Sequence, residues 1–271
     1  MEDIGPPDHV RPYYPKARWS SFYIELFLLY AKVLHGAKEE QVAFLASICS
    51  DDLNSVSMPK TDMIGPFNQG GLDGYPFSGI TGLGAFSHHI PDCGVALMLF
   101  GPHVGITDDQ QVGMVVRPGQ GKATTCCGAA AAALKALEEG TIAPLEPHCY
   151  PVNDYQQERI RQTVLEHQEE IKAAGDEASA GRFIAMSEII YRKSKEAFVL
   201  QVEATPFEHP AYYFGGILIN QDGRRKSLIA LRDAAKVEHG VYTDLTQDFE
   251  GFAEKRFDAY KAGDKEAFRS L

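Results

Sequence analysis

Three nearly unbroken apolar runs mark the first hundred residues: FYIELFLLYAKVL from Phe22 to Leu34, QVAFLASI from Gln41 to Ile48, and VALMLF from Val95 to Phe100. The first carries Glu25 and Lys32 and is followed by Gly36, so it predicts a buried or half-buried helix that the glycine ends, too short to span a bilayer. The other two are strand-length and run into CSDDLNS and Gly101-Pro102-His103, the pattern of buried strands that empty into loops. Farther along, Cys127 to Glu139 has high helix propensity with Thr124 or Thr125 available as a cap. Tyr155 to Ala173 reads as a charged amphipathic helix with Ile160, Val164 and Ile171 among its apolar positions. A helix from Ala178 to Lys193 leads into FVLQVEAT, and YYFGGILINQDGRRKSLIALRD predicts a β-hairpin turning at Asn220 to Gly223. A charged helical tail starts at Gln247. Between Gly65 and Gly94, glycine, proline and aromatic residues crowd too closely for a regular element, and a long loop of this kind usually carries function.

Strands alternating with helices make this an α/β chain. Residues 1–19 form a proline-rich lead-in, and nothing resembling a linker divides residues 20–271, which are expected to form a single domain. Lysine and arginine number 26 against 37 aspartates and glutamates, a net charge of −11 that argues against a nucleic-acid binder, which needs a basic face. The opening residues show no secretory or transit pattern, so the chain as it stands is expected to remain in the cytoplasm and off the membrane. Cys49, Cys93, Cys126, Cys127 and Cys149 are an odd set without an export signal, which points to core thiols or metal ligands rather than a disulfide framework.

Ligands of open α/β sheets bind beyond the carboxyl ends of the strands. Cys49 and His103 both fall at such ends, and Cys126 and Cys127 lie at the start of a helix. One imidazole and two thiolates are a three-ligand zinc set with a fourth position for water, and either vicinal cysteine can complete it. The competing reading makes each cysteine a small core residue and His103 a hydrogen-bonded loop histidine. Asp51, two residues beyond Cys49, can reach such a metal or its water, closing the fourth position or swinging aside to accept a hydrogen bond; otherwise it and Asp52 cap a turn. His88 and His89 are candidate proton shuttles or loop struts, and Phe67, Tyr75, Phe77 and Phe86 are candidates to line a dry pocket. GQGKATT is not a phosphate loop, because Val116 and Ala123 stand where glycine and serine or threonine are needed. A thiol redox role for Cys126 and Cys127 is disfavoured by the strain of a vicinal disulfide and by the lack of a Cys-x-x-Cys motif.

The segments SICSDDLN, FNQGG, GYPFSGITGLGAFSHHIPD, LMLFGPHVGI and CCGAAAAAL resemble the limiting-CO2-inducible protein B/C family, the theta carbonic anhydrases, over most of the chain. The resemblance implies a β-carbonic-anhydrase-like fold, a mostly parallel sheet flanked by helices with the C-terminal hairpin. It also implies a Zn2+ site on Cys49, His103 and Cys127 and reversible hydration of CO2 to bicarbonate and a proton by zinc-bound hydroxide. Catalytic roles follow for Asp51, for His88 or His89 in proton transfer, and for Gln69, of the FNQGG block, as a donor to bicarbonate. Where the β-class carries an arginine two residues after the aspartate, this chain has Leu53, so any cation that orients Asp51 must come from elsewhere. Two thiolates cancel the charge of Zn2+, so activity is expected to rise with pH. A homodimer is expected, with helix 22–34 or the C-terminal hairpin at the interface, and a plastid location if a transit peptide has been removed. A non-catalytic, zinc-containing protein that responds to bicarbonate or serves as a scaffold is the alternative.

Overall fold

Every residue of strands β2 (Val42–Ser47), β4 (Val95–Phe100) and β8 (Ala211–Gln221) is buried, and that explains why their sequences read as apolar runs rather than alternating ones: both faces of the sheet are covered. The computed structural model describes residues 5–54, 62–146, 149–223 and 226–264. Along β4 the side chains divide by parity, Ala96, Met98 and Phe100 entering one apolar core and Val95, Leu97 and Leu99 the other. The first core is closed by α3 (Gly128–Glu138), α4 (Tyr155–Glu166) and α6 (Ala180–Ala204). The second is closed by α1 (Ser20–His35) and α7 (Thr246–Ala262), where Phe27 stacks on Phe214 with ring centroids 3.7 Å apart. Burying a phenylalanine there contributes about 2–3 kcal/mol.

The sheet runs β1 (Arg18–Trp19), β9 (Leu228–Glu238), β8, β4, β2, β3 (Ile64–Asn68). Its β3–β2–β4–β8 portion is parallel, and β8–β9 is the antiparallel hairpin expected at the C-terminal end, edged by β10 (Val241–Asp244). β8 is long enough to pair twice on one side. Its first half meets β4, and its second half, from Leu218 to Gln221, meets β5 (His103–Ile106) in parallel. One strand is thus broken at Gly101-Pro102. Gly101 has φ +149°, and a Cβ there would lie 1.7 Å from the Gly216 carbonyl oxygen, so only glycine allows the break to press against β8. A two-stranded ribbon, β6 (Met114–Val115) with β7 (Thr124–Thr125), precedes α3.

Several expectations need correction. The stretch 65–94, read as irregular, contains the greater part of β3 and the whole of α2 (Gly79–Ser87). Thr124 and Thr125 do not cap α3; they form β7, and Cys127 occupies the N-cap without a side-chain hydrogen bond. The helix 155–173 divides at His167 into α4 and α5 (Gln168–Ala173). α6 continues beyond Lys193 to Ala204, since Phe198 and Val202 keep the helical spacing into the core. The apolar residues of α1 pack mostly within the chain, against the sheet and α7, with Leu34 left 46% exposed. Among the described residues no helix is long and apolar enough to cross a membrane.

Candidate metal centre

β2 and β4 are in register, Ser47 opposite Phe100, so the residues just past them emerge side by side at the carboxyl edge of the sheet. Cys49 follows β2, and His103 follows the break in β4. The Gly101 N–H donates to the Ser47 carbonyl at 3.1 Å, and the Ser47 hydroxyl donates to the Gly74 carbonyl at 3.2 Å, tying the two exits together. Cys127 arrives from the opposite direction as the N-cap of α3. The three ligand atoms lie within 4.8 Å of one another, with Cys49 6%, His103 1% and Cys127 2% exposed.

The Sγ atoms of Cys49 and Cys127 are 4.0 Å apart. Two sulfurs bound tetrahedrally at about 2.3 Å would stand about 3.8 Å apart, so the pair is already spaced for zinc. His103 Nδ1 meets Asn220 Oδ1 at 2.7 Å, whereas Nε2 is buried with no hydrogen-bond partner among the described residues. An orphaned ring nitrogen beside two thiols is a metal ligand's arrangement, with the other nitrogen anchored. In this cluster the Cys49 thiol is pushed well down by the hydrogen bond with Cys127 and by His103, against the opposing effect of burial. The hydrogen bond with Cys49, burial and nearby Asp73 push Cys127 up. His103 is raised, its neighbouring sulfurs outweighing burial. A divalent cation bound by these three groups would displace the protons they carry.

Asp73 was missed in the sequence. It is 1% exposed, accepts the His103 N–H at 3.2 Å through Oδ1, and is pushed up to about 7 by burial, with Cys49 adding to the rise. It sits at φ 50° in a GLDG turn and has no spacing that would announce it.

Asp51 lies beside the cluster, and its cation is Arg117. The guanidinium Nη2 is 2.8 Å from Asp51 Oδ2, with the two side chains 17% and 14% exposed, and the Leu53 N–H donates to Oδ1 at 3.0 Å. Burial pushes the Asp51 carboxyl up, but the Leu53 N–H, Asp52, His103 and Arg117 together hold it below the usual range. Arg117 also donates to Thr124 Oγ1 at 2.7 Å and to the Thr125 carbonyl at 3.2 Å. Arg117 lies just before the GQGK segment, 66 positions from Asp51, so no local motif joins the two. A second group of potential ligands, Asp51, His103 and Cys126, shares the imidazole. Its groups have other contacts: Asp51 with Arg117 and Leu53, and His103 Nδ1 with Asn220, while the Cys126 sulfur lies 3.6 Å from that Nδ1.

Of the remaining candidates, Tyr75 and Phe86 belong to the same buried cluster as Cys49 and Cys127, and Phe67 and Phe77 pack against it. The Gln69 amide donates to the Gly79 carbonyl at 3.1 Å and to Gln201 Oε1 at 2.7 Å, so both of its N–H groups are engaged rather than offered to bicarbonate. His88 and His89 are exposed at the end of α2, and His89 packs on Phe67 with centroids 5.8 Å apart. The four aromatics split into two packed pairs, Phe67 with Phe86 at 5.7 Å and Tyr75 with Phe77 at 5.6 Å.

Comparison with known proteins bears on the family and the fold. The family model described as limiting CO2-inducible proteins B/C beta carbonic anhydrases matches residues 29–244. Among solved structures, PtLCIB4, a homolog of the limiting CO2-inducible protein LCIB, is 23% identical with a TM-score of 0.73, covering 87% of this chain and 98% of its own. The limiting CO2-inducible protein LCIB is 16% identical with a TM-score of 0.59, covering 86% of this chain and 95% of its own. A search of curated proteins found no match. The α/β fold with its mostly parallel sheet, and a family match spanning the larger part of the chain, lead to one assignment: this chain belongs to the limiting CO2-inducible protein B/C family of beta carbonic anhydrases.

Proposed function

We propose that the chain is a zinc carbonic anhydrase that interconverts CO2 with bicarbonate and a proton. The observation that carries this reading is the convergence of Cys49, His103 and Cys127 beside an Asp51 carboxylate already held by Arg117. Zinc bound by these three residues would supply a Lewis acid that acidifies a water in its fourth position. Both Asp51 oxygens are engaged by Arg117 and the Leu53 N–H, an arrangement that keeps the carboxylate from occupying that position itself and leaves it as an acceptor that orients the water. Cys49 and Cys127 are contiguous with an apolar core containing Leu83 and Ala130, so an uncharged gas meets little polar competition there. Proton exit through His88 or His89 belongs to the same proposal, as does assembly into a homodimer.

The test is zinc analysis with stopped-flow CO2 hydration on the metal-replete protein. One zinc per chain with turnover that rises with pH supports the enzyme. Zinc without turnover replaces it with the non-catalytic reading, in which the same centre serves stability or sensing.

A further inference from the structure

We infer that Asn220 is a positioning residue that sets the tautomer of His103, and that the main chain of Leu53 sets Asn220; the inference rests on His103 being a metal ligand. Asn220 is 2% exposed near the end of β8, opposite Gly105 of β5, and it belongs to no part of the ligand set. Its Nδ2 donates to the Leu53 carbonyl at 3.2 Å and to Ser227 Oγ at 3.0 Å, and the Ser227 hydroxyl donates to the same carbonyl at 3.4 Å. A carbonyl can only accept, so the amide must face Leu53 with its nitrogen. Turned over, Asn220 would set two acceptors against each other. Oδ1 is thereby aimed at His103 Nδ1 at 2.7 Å, and the Cys126 sulfur, 3.4 Å from the same oxygen, adds a weaker donor to it. An oxygen that accepts requires a nitrogen that donates, so in the neutral ring Nδ1 carries the proton and Nε2 is left with its lone pair. Nε2 is the buried atom that lacks a partner.

The same Leu53 donates its N–H to Asp51 Oδ1 at 3.0 Å. One residue's main chain therefore aligns the carboxylate with one end and the imidazole, through Asn220, with the other. Its side chain takes no part in either contact. Position 53 is where β-class enzymes hold an arginine; here the backbone does the aligning while Arg117 brings the charge.

The experiment compares wild type, Asn220→Leu and Asn220→Asp. Zinc affinity is measured by competition with a chromophoric chelator, and the ring nitrogens of His103 are followed by 15N NMR. Asn220→Leu removes the acceptor and is expected to weaken zinc binding about 10–100-fold and to lose the hydrogen-bonded Nδ1 proton signal. Asn220→Asp keeps an acceptor toward Nδ1 but sets its second oxygen against the Leu53 carbonyl, so it is expected to retain that signal with a zinc affinity between those of Asn220→Leu and wild type. A purely structural residue would show no such rescue. Unchanged zinc affinity in a folded Asn220→Leu protein, or zinc bound through Nδ1 in wild type, overturns the inference. Zinc bound with the expected ring signals but no CO2 hydration overturns the enzymatic reading and leaves this one standing. If wild type binds no zinc, the metal reading fails and alkaline 15N spectra of the metal-free proteins decide: an Nδ1–H tautomer lost in Asn220→Leu supports the positioning role, and a mixture of tautomers in wild type overturns it.

Discussion

Replacing Arg117 by alanine removes the guanidinium that holds Asp51 Oδ2 at 2.8 Å. The pair is largely shielded, its side chains 17% and 14% exposed, so it lies above the range of surface ion pairs. A charge-assisted hydrogen bond of this kind contributes about 1.5–3 kcal/mol. At about 1.4 kcal/mol per factor of ten, losing it shifts the balance between the pinned and free carboxylate about 10–100-fold. If the pinned carboxylate is the working one, kcat/KM for CO2 hydration in Arg117→Ala falls by that factor while zinc content stays at the wild-type level. Arg117 also binds Thr124 Oγ1 at 2.7 Å, so the substitution loosens the ribbon that leads into Cys126 and Cys127. Thr124→Val separates the two effects, since it deletes the hydroxyl contact and keeps the ion pair; it is expected to stay close to wild type. Stopped-flow assays with metal analysis read all three proteins. Wild-type kcat/KM in zinc-loaded Arg117→Ala, or a loss in Thr124→Val as large as that in Arg117→Ala, would refute the reasoning.

Alanine at Cys49, His103 or Cys127 is expected to abolish zinc binding, while Cys126→Ser keeps it, and metal stoichiometry decides; a full zinc complement in all three alanine variants would remove the basis of the site. In metal-free protein, the stability advantage of wild type over Asp51→Asn should be complete above the unfolded carboxylate value of 3.8 and disappear as pH falls through the lower folded value, because the native state holds the charged form. Urea unfolding at about pH 6 and about pH 3 checks this, and a gap that widens in acid would reverse the sign. Gly101→Ala, with its Cβ 1.7 Å from the Gly216 carbonyl oxygen, is expected to lose at least about 3 kcal/mol of stability. Gly84→Ala, in α2 with nothing within 4 Å of the added carbon, should be neutral or gain up to about 1 kcal/mol, and equal losses in the two variants would undo the steric argument.

What could be read in advance was what depends on neighbours along the chain. VALMLF is β4 from Val95 to Phe100, because a strand buried on both faces needs apolar residues throughout. Gly36, at φ 63°, ends α1 as its conformational freedom suggests. The hairpin appears with its turn somewhat later than Asn220, because β8 runs to Gln221 to pair with β5. The region from Gly65 to Gly94 misled because Pro66 lies in β3, which among the described residues pairs with β2 alone, and because the glycines of α2 are offset by Leu83 and Phe86, which bury its inner face. The cysteines and the histidine were legible because few side chains bind soft metals. Arg117 and Asn220 were not: each contacts a residue remote in sequence, and an arginine before a proline or an asparagine near a turn looks the same whether or not it has such a contact.

The double pairing of β8 bears on when the centre can assemble. A nascent chain that ends before Ala211 already contains Cys49, His103 and Cys127, yet the strand that lies beside both β4 and β5 is missing, and so is the amide that steadies the imidazole. If the centre takes a metal as proposed, the frame around its three ligands is complete only once Ala211–Gln221 has been made. A chain truncated before Ala211 would hold the three candidate ligands without that frame.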